Sequence, residues 1–261
     1  MKPPHVAVAL TSLSPEDELR DRQRACVDSW RNAGCKVVAF QTHSELALIG
    51  TLGWPGVEFV PVDGPLAWDR RFVLVSTLAR WATTYAYTAE ALPVLFINAD
   101  CALECTPERL AALALEAGDG LCCLVRHETD GSRFAGGIDG LLMAAKSAAL
   151  VPSSDVMVLG RPHWDTVVAT RFLDGGKALC SPSFRIMGHE THPVRWSPED
   201  MGRASAEAAR LLGHLPPFSA IANRMRHIGP DMKVAAPVET RSSSLIADEE
   251  AFGAVRMSRG Y

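Results

Sequence analysis

The tripeptide Asn98-Ala99-Asp100 is the feature of this 261-residue sequence that most clearly predicts chemistry. It follows the apolar run from Pro93 to Ile97, which is typical of a buried strand in an α/β sheet. Open α/β sheets bind their ligands beyond the carboxyl ends of the strands. Oxygen ligands at that place can hold Mn²⁺ or Mg²⁺, and the cation can bind a diphosphate. The alternative is that these side chains only cap the next helix.

The sequence His189-x-x-His192 is a second candidate for metal binding. Imidazole suits Mn²⁺ and similar ions as well as zinc. Two histidines three residues apart share one face of a helix, but Pro193 favours a loop or a strand end at this position. Only one of the two would then point into a site. The alternative interpretation is that the pair is structural.

Composition and charge exclude several classes of protein. The formal charge of −4 argues against a protein that coats nucleic acid, and 48% apolar residues indicate a soluble, folded chain. No apolar stretch reaches the roughly 18 residues that a membrane span requires, and the first residues lack the apolar core of a signal peptide. We therefore expect a cytoplasmic protein without a membrane span. Its seven scattered cysteines are expected to be buried free thiols.

The elements that must position these residues alternate between strands and helices in the first hundred positions. Strands are predicted at 6–10, 36–40, 57–61 and 93–97, with helices at 14–32, 44–52 and 72–90 between them. This alternation predicts a mostly parallel sheet flanked by helices. In the second half, strands are predicted at 120–125 and 140–143 and within 178–187, and helices to about 173 and at 203–215.

Six short motifs follow one another between residues 6 and 200. They are Thr11-Ser12, Gln23 with Ser29-Trp30-x-x-x-Gly34, Phe96-Ile-Asn-Ala-Asp100, Gly136-Gly-Ile-Asp139, Gly160-Arg-Pro-x-Trp164-Asp165 and Gly188-His-Glu-Thr-His192-Pro193. In this order they resemble the motifs of GT-A-type glycosyltransferases, which use a nucleotide-diphosphate sugar. The usual Asp-x-Asp of that family is Asn98-x-Asp100 here. Asn98 brings an amide oxygen but no charge, which predicts weak metal binding or a metal that is dispensable.

The resemblance implies a single GT-A-like α/β domain over residues 1–237. Its nucleotide-binding half is expected at about 1–105 and its acceptor half at about 106–237. The polar tail 238–261 is either disordered or folds over a site when ligand binds.

The resemblance also implies roles for individual residues. The nucleotide-diphosphate sugar is expected to contact Thr11, Ser12, Gln41, Arg71, Asn98, Ala99 and Asp100. The divalent metal is expected at Asp100, His189 and His192, and the acceptor at Gly137, Trp164 and His127, with Arg126 and Arg133 beside it. Asp165 is the candidate general base, with Asp139 as the alternative base or a ligand of sugar hydroxyls. Asp165 could equally be a plain helix N-cap.

The predicted activity is transfer of a sugar to an acceptor hydroxyl, with inversion if either aspartate is the base. A UDP-sugar is the donor that the family most often uses, while the acceptor is a glycan, a protein, a metabolite or a hydroxymethylated DNA base. The alternatives are a nucleotidyltransferase and a non-catalytic protein that binds sugar nucleotides or glycans. The sequence after the first strand lacks the Gly-rich phosphate loop that favours the former. A dinucleotide-binding G-x-G-x-x-G and a hydrolase G-x-S-x-G turn are also missing.

Overall fold

A computed structural model of the chain describes residues 5–50, 53–62, 73–133, 137–190, 196–214 and 217–232. Arg71, His192 and the tail 238–261, all named in the sequence predictions, lie outside these ranges. Within them, the strands are β1 (Ala7–Thr11), β2 (Cys35–Thr42), β3 (Val57–Val62), β4 (Val94–Ile97), β5 (Cys101–Leu103), β6 (Leu121–Leu124), β7 (Gly140–Met143), β8 (Leu179–Pro182), β9 (Met187–His189) and β10 (Met225–Ile228). The helices are α1 (Asp17–Asn32), α2 (His43–Ile49), α3 (Val75–Tyr85), α4 (Pro107–Ala117), α5 (Trp164–Asp174), α6 (Pro198–Leu212) and α7 (Phe218–Ala222).

Eight of these strands form one sheet in the order β10-β8-β6-β7-β4-β1-β2-β3. All neighbours are parallel except β7, which runs antiparallel to both β4 and β6. Strands β5 and β9 pair antiparallel as a separate two-stranded sheet. The predicted fold class, a mostly parallel sheet flanked by helices, is therefore confirmed.

Side chains on both faces of the central sheet are buried. In β1, Val8 and Leu10 belong to one apolar cluster, whereas Ala7 and Ala9 belong to the other. Successive side chains of a strand point to opposite faces, so both faces are covered, as in other helix-flanked parallel sheets. This packing explains why the sequences of the predicted strands are continuous apolar runs.

Local sequence signals set the helix ends. The Thr106 side chain accepts a hydrogen bond at the start of α4, and Pro107 occupies its first turn. Ser197 and Asp200 form a reciprocal capping box at the start of α6. The predicted helix at 203–215 therefore begins earlier, at Pro198, and ends at Leu212. Helix α3 is shorter than the predicted 72–90.

Several short elements were not predicted as separate units. The predicted strand within 178–187 is two strands, β8 and β9, which lie in different sheets. Strands β5 and β10 contain only 3 and 4 residues, too few to show a period. Among the described helices, none is both long enough and apolar enough to cross a membrane.

Candidate active site

A cleft with a volume of about 750 Å³ opens where the central strands end. The carboxyl ends of β1, β4 and β6 lie at one edge of the sheet, and the antiparallel β7 begins there. Strand β1 has β4 on one side and β2 on the other, so the chain order reverses at this point. The polar side chains that line the cleft include those of Ser12, Asn98, Asp100, Arg126, Asp139, Asp165 and His189.

Asn98 and Asp139 face each other across the β4–β7 ladder. The Asn98 side-chain amide donates a hydrogen bond of 2.7 Å to Oδ1 of Asp139, and both residues are buried. The backbone N–H of Asn98 also donates to the Asp139 carbonyl. An aspartate at position 98 would set two carboxylates against each other, and like charges so close cannot both ionise. The departure from Asp-x-Asp therefore fits this neighbour.

Arg126 continues the network on the other side of Asp139. Its guanidinium lies 3.3 Å from Oδ2 of Asp139, and its Nε donates a 2.8 Å hydrogen bond to Glu128. Burial acts to lower the pKa of Arg126, but the two carboxylates outweigh it and raise the pKa above its ordinary value. Burial raises the pKa of Asp139, and the charge of Arg126 opposes that rise. Arg126 thus places a positive charge at the cleft.

His189 lies between two carboxylates. Its Nδ1 is 3.0 Å from Glu128 and its Nε2 is 3.6 Å from Oδ2 of Asp100. Burial acts to lower the pKa of His189, whereas hydrogen bonds with Asp100 and Glu128 raise it, and the net shift is upward. The two residues meet because His189 is paired with Cys101 in the β5–β9 ladder. The structure therefore brings together Asp100 and His189, two of the three predicted metal ligands.

Asn98, Asp100 and His189 carry the ligand types that divalent cations use in proteins. No three His, Cys, Asp or Glu side chains in the described part of the chain form a group that could hold a metal. Asn98 lines the same cleft, and its buried Oδ1 has no hydrogen-bond partner among the described residues. An amide oxygen, the Asp100 carboxylate and the His189 imidazole are ligand types that Mn²⁺ accepts.

Asp165 lies in the first turn of α5 and is buried. Its Oδ2 accepts a 2.6 Å hydrogen bond from the backbone N–H of Ile138, across the cleft from its own helix. The N-cap position of α5 belongs to His163, so Asp165 is not a plain N-cap. Burial raises its pKa to about 6, with a further contribution from the charge of Asp139. Such a carboxylate is ionised at neutral pH and still a competent proton acceptor.

Other residues predicted to bind the donor occupy different positions. Ser12 and Ala99 line the cleft. Thr11 is completely buried and its hydroxyl donates to the Ile97 carbonyl, which ties β1 to β4. Gln41 is also completely buried, and its amide donates to the Leu13 carbonyl behind the cleft wall. Thr11 and Gln41 therefore do not line the cleft, and their hydrogen bonds hold the strand and the loop behind its wall.

Of the residues predicted to bind the acceptor, Gly137 and Trp164 line the cleft. Trp164 is also 98% buried, with only 2% of its surface exposed, and it packs into the core. His127 lies outside the cleft lining, on the segment between Arg126 and Glu128. The structure thus groups Asp165, Asp139, Gly137 and Trp164 and separates His127 from them.

Two contributions were not foreseen from the sequence. Glu128 connects Arg126 to His189, and no motif points to it. Trp30 donates its indole N–H to the carbonyl of Cys101, directly after Asp100, over 2.8 Å. Trp30 belongs to a motif noted above, but only the tertiary contact shows that it anchors the Asp100 loop.

Comparisons with known proteins give a likeness of architecture. No family model and no curated protein matches the sequence. Among solved structures, the Rv0371c protein of Mycobacterium tuberculosis H37Rv, in complex with manganese, has 17% identity and a TM-score of 0.40, covering 77% of this chain and 98% of its own. The glycosyltransferase GlyE of Streptococcus pneumoniae TIGR4 has 10% identity and a TM-score of 0.41, covering 81% and 63%.

A third structure, provisionally described as a nucleotide-diphospho-sugar transferase of Desulfovibrio desulfuricans G20, has 11% identity and a TM-score of 0.45. It covers 76% of this chain and 85% of its own. Identities and scores of this size assign no reaction, ligand or metal to this chain.

Proposed function

We propose that the cleft transfers a sugar from a nucleotide-diphosphate sugar to an acceptor hydroxyl. One observation carries the proposal. A buried carboxylate with a pKa of about 6, that of Asp165, shares one cleft with the oxygen and nitrogen ligands of Asn98, Asp100 and His189. Proton acceptance and diphosphate binding are the two tasks that such a transfer requires.

In the proposed reaction, Asp165 accepts the proton of the acceptor hydroxyl. The acceptor oxygen forms a bond to the anomeric carbon, and the bond from that carbon to the diphosphate oxygen breaks. The nucleoside diphosphate leaves with the electron pair. A base on the acceptor side gives inversion at the anomeric carbon.

The other charged residues position these groups. Asn98 and Arg126 hold both oxygens of Asp139, so Asp139 remains fixed beside Asp165. The Asn98 oxygen, Asp100 and His189 would hold a divalent cation, which when bound supplies charge neutralisation at the diphosphate. Arg126 also lines the cleft and adds its own positive charge there.

The test is the product released from a panel of nucleotide-diphosphate sugars, beginning with UDP-sugars, with Mn²⁺, Mg²⁺ or EDTA. We expect release of the nucleoside diphosphate from one donor class, loss of release in EDTA, and loss in Asp165→Asn. Asp174→Asn is the matched control, because it makes the same change at the exposed last residue of α5. Release of pyrophosphate would instead indicate nucleotidyl transfer, and binding without any release would indicate a non-catalytic protein.

A further inference from the structure

A second polar cluster lies beside the cleft, and the proposed transfer does not use it. We call it the basic cluster, and it consists of His127, Arg133, Ser181 and His227. Arg126 and Glu128 form an ion pair that belongs to the hydrogen-bond network of the cleft. Neighbouring residues of an extended segment point to opposite sides, so His127 faces away from that network.

The backbone brings the four residues together from three separate parts of the chain. His127 and Arg133 form an antiparallel bridge at the base of a short hairpin. The Arg133 guanidinium donates a 3.1 Å hydrogen bond to the hydroxyl of Ser181 in β8. His227 in β10 is in register with Ser181, and side chains in register on adjacent strands share one face of the sheet. His127 and His227 therefore both lie near Arg133.

The charges of the basic cluster are not compensated within the described part of the chain. Arg133 makes no ion pair with a described carboxylate, and partial desolvation of its guanidinium lowers its pKa although the residue as a whole is exposed. Glu104, whose charge acts on His127, is already paired with Arg185. Burial and the charge of Arg133 lower the pKa of both His127 and His227, and Arg185 adds to the effect on His127.

Each imidazole also has an unused atom. The Nδ1 atoms of His127 and His227 are buried and have no hydrogen-bond partner among the described residues. Buried polar atoms are normally paired, and exceptions of this kind call for an explanation. A guanidinium, a hydroxyl and two imidazoles that can become cations make up a donor set for a phosphate group.

We propose that the basic cluster of His127, Arg133, Ser181 and His227 is a second anion site, which binds a phosphate group in its dianionic form. The bound group is either the phosphate monoester of an organic molecule or free inorganic phosphate. Binding requires no turnover, so the inference is independent of the proposed transfer.

The experiment follows the histidine ring signals of the full chain by NMR during titration with inorganic phosphate at constant ionic strength and neutral pH. We expect saturable shifts of His127 and His227 that indicate protonation. Arg133→Gln and His227→Gln should each weaken binding by about tenfold or more, since each removes a charge-assisted hydrogen bond. Arg171→Gln removes an exposed positive charge from α5 and should bind as the wild type does.

Glycerol 2-phosphate, titrated in the same way, separates the two sources of phosphate. Tighter binding of this monoester would favour an organic phosphate, and tighter binding of inorganic phosphate would favour the free ion. Shifts that do not saturate, or that are the same in Arg133→Gln, would mean an adventitious ion only and would overturn the proposal. Shifts of His189 alone would place the anion in the cleft and would overturn it as well.

Discussion

Asp165 is a buried carboxylate whose surroundings set its affinity for a proton. The carboxylate keeps one strong hydrogen bond, from the backbone of Ile138, and it has the charge of Asp139 nearby. Desolvation disfavours the charged form, which moves the pKa of Asp165 toward neutral pH. A functional base commonly has such a pKa.

Replacing Asp165 by Asn should reduce turnover by about 10²- to 10⁴-fold, the usual contribution of a general base. In the wild type, kcat/KM should fall below a pH of about 6, because Asp165 becomes protonated there. The pH profiles of the wild type and of Asp165→Asn, recorded with the donor that the panel of nucleotide-diphosphate sugars selects, measure both effects. A profile with no acidic limb, or full activity in Asp165→Asn, would remove Asp165 from the mechanism.

The same residue should lower the stability of the fold at neutral pH. Its pKa is about 6 in the folded chain and 3.8 in the unfolded chain. The stability that comes from the protonated carboxyl is therefore fully present below about pH 3.8 and is lost as pH rises through about 6. At pH about 8, Asp165→Asn should therefore have a higher free energy of unfolding than the wild type, by an amount on the order of 3 kcal/mol. The two proteins should converge near pH 4, as urea unfolding at both pH values can show. An equal difference at both pH values would contradict this assignment.

At the scale of elements, two buried glutamines hold the β1–α1 loop that forms one wall of the cleft. Gln23 accepts from the Ser14 backbone N–H at 2.8 Å and donates to the Ser14 carbonyl at 3.2 Å. Gln41 donates to the Leu13 carbonyl at 3.0 Å. The loop is therefore fixed by side chains from α1 and β2.

Gln23→Met keeps the shape of the side chain and removes both hydrogen bonds. The change should lower the free energy of unfolding by about 1–3 kcal/mol and weaken nucleoside diphosphate binding, because Ser14 lines the cleft. Ser147→Ala is the control, since it removes a partly buried hydrogen bond to the Asp119 carbonyl in another region. Calorimetric titration should show weaker binding only in Gln23→Met. Equal affinity in both variants would contradict a role of the loop in binding.

The sequence predicts well the elements that carry strong local signals, and it predicts the contacts between elements poorly. The run 93–97 and the cap at Thr106 carry their own local signals, and β4 and α4 form where these predict. The short strands β5 and β9 carry no such signal, yet their pairing places His189 beside Asp100. Gln41 was expected to contact a nucleotide because it ends a strand at the correct edge. Its burial depends on the loop that covers it.

At the scale of the whole molecule, the central sheet joins the two predicted halves of the chain. Strands β1 to β4 from the first half form one side of the sheet, β6, β7, β8 and β10 from the second half form the other, and the β4–β7 ladder joins the two sides. Disruption of either half should therefore expose the core of both. The cysteines provide internal probes of this, because six of the seven are buried and Cys105 is half-buried.

Alkylation of the native protein should begin at Cys105. Burial raises its pKa to about 11, so even this reaction should be slow. The six other thiols should react together, at the rate of global unfolding, in mass spectra recorded during exposure to iodoacetamide. Cys105→Ser should remove only the first phase. Stepwise modification of the buried cysteines would indicate that the two halves open separately.

We propose that the cleft beyond β1 and β4 binds a nucleoside diphosphate. The most direct test is thermal unfolding with UDP, GDP, CDP, TDP and ADP, each with Mn²⁺, Mg²⁺ or EDTA. One nucleotide at a hundred times its Kd should stabilise the wild type by about 2.7 kcal/mol. In Asp100→Ala the metal-dependent part of that shift should disappear, while the exposed control Asp174→Ala should keep it. Stabilisation by none of the five would contradict the account.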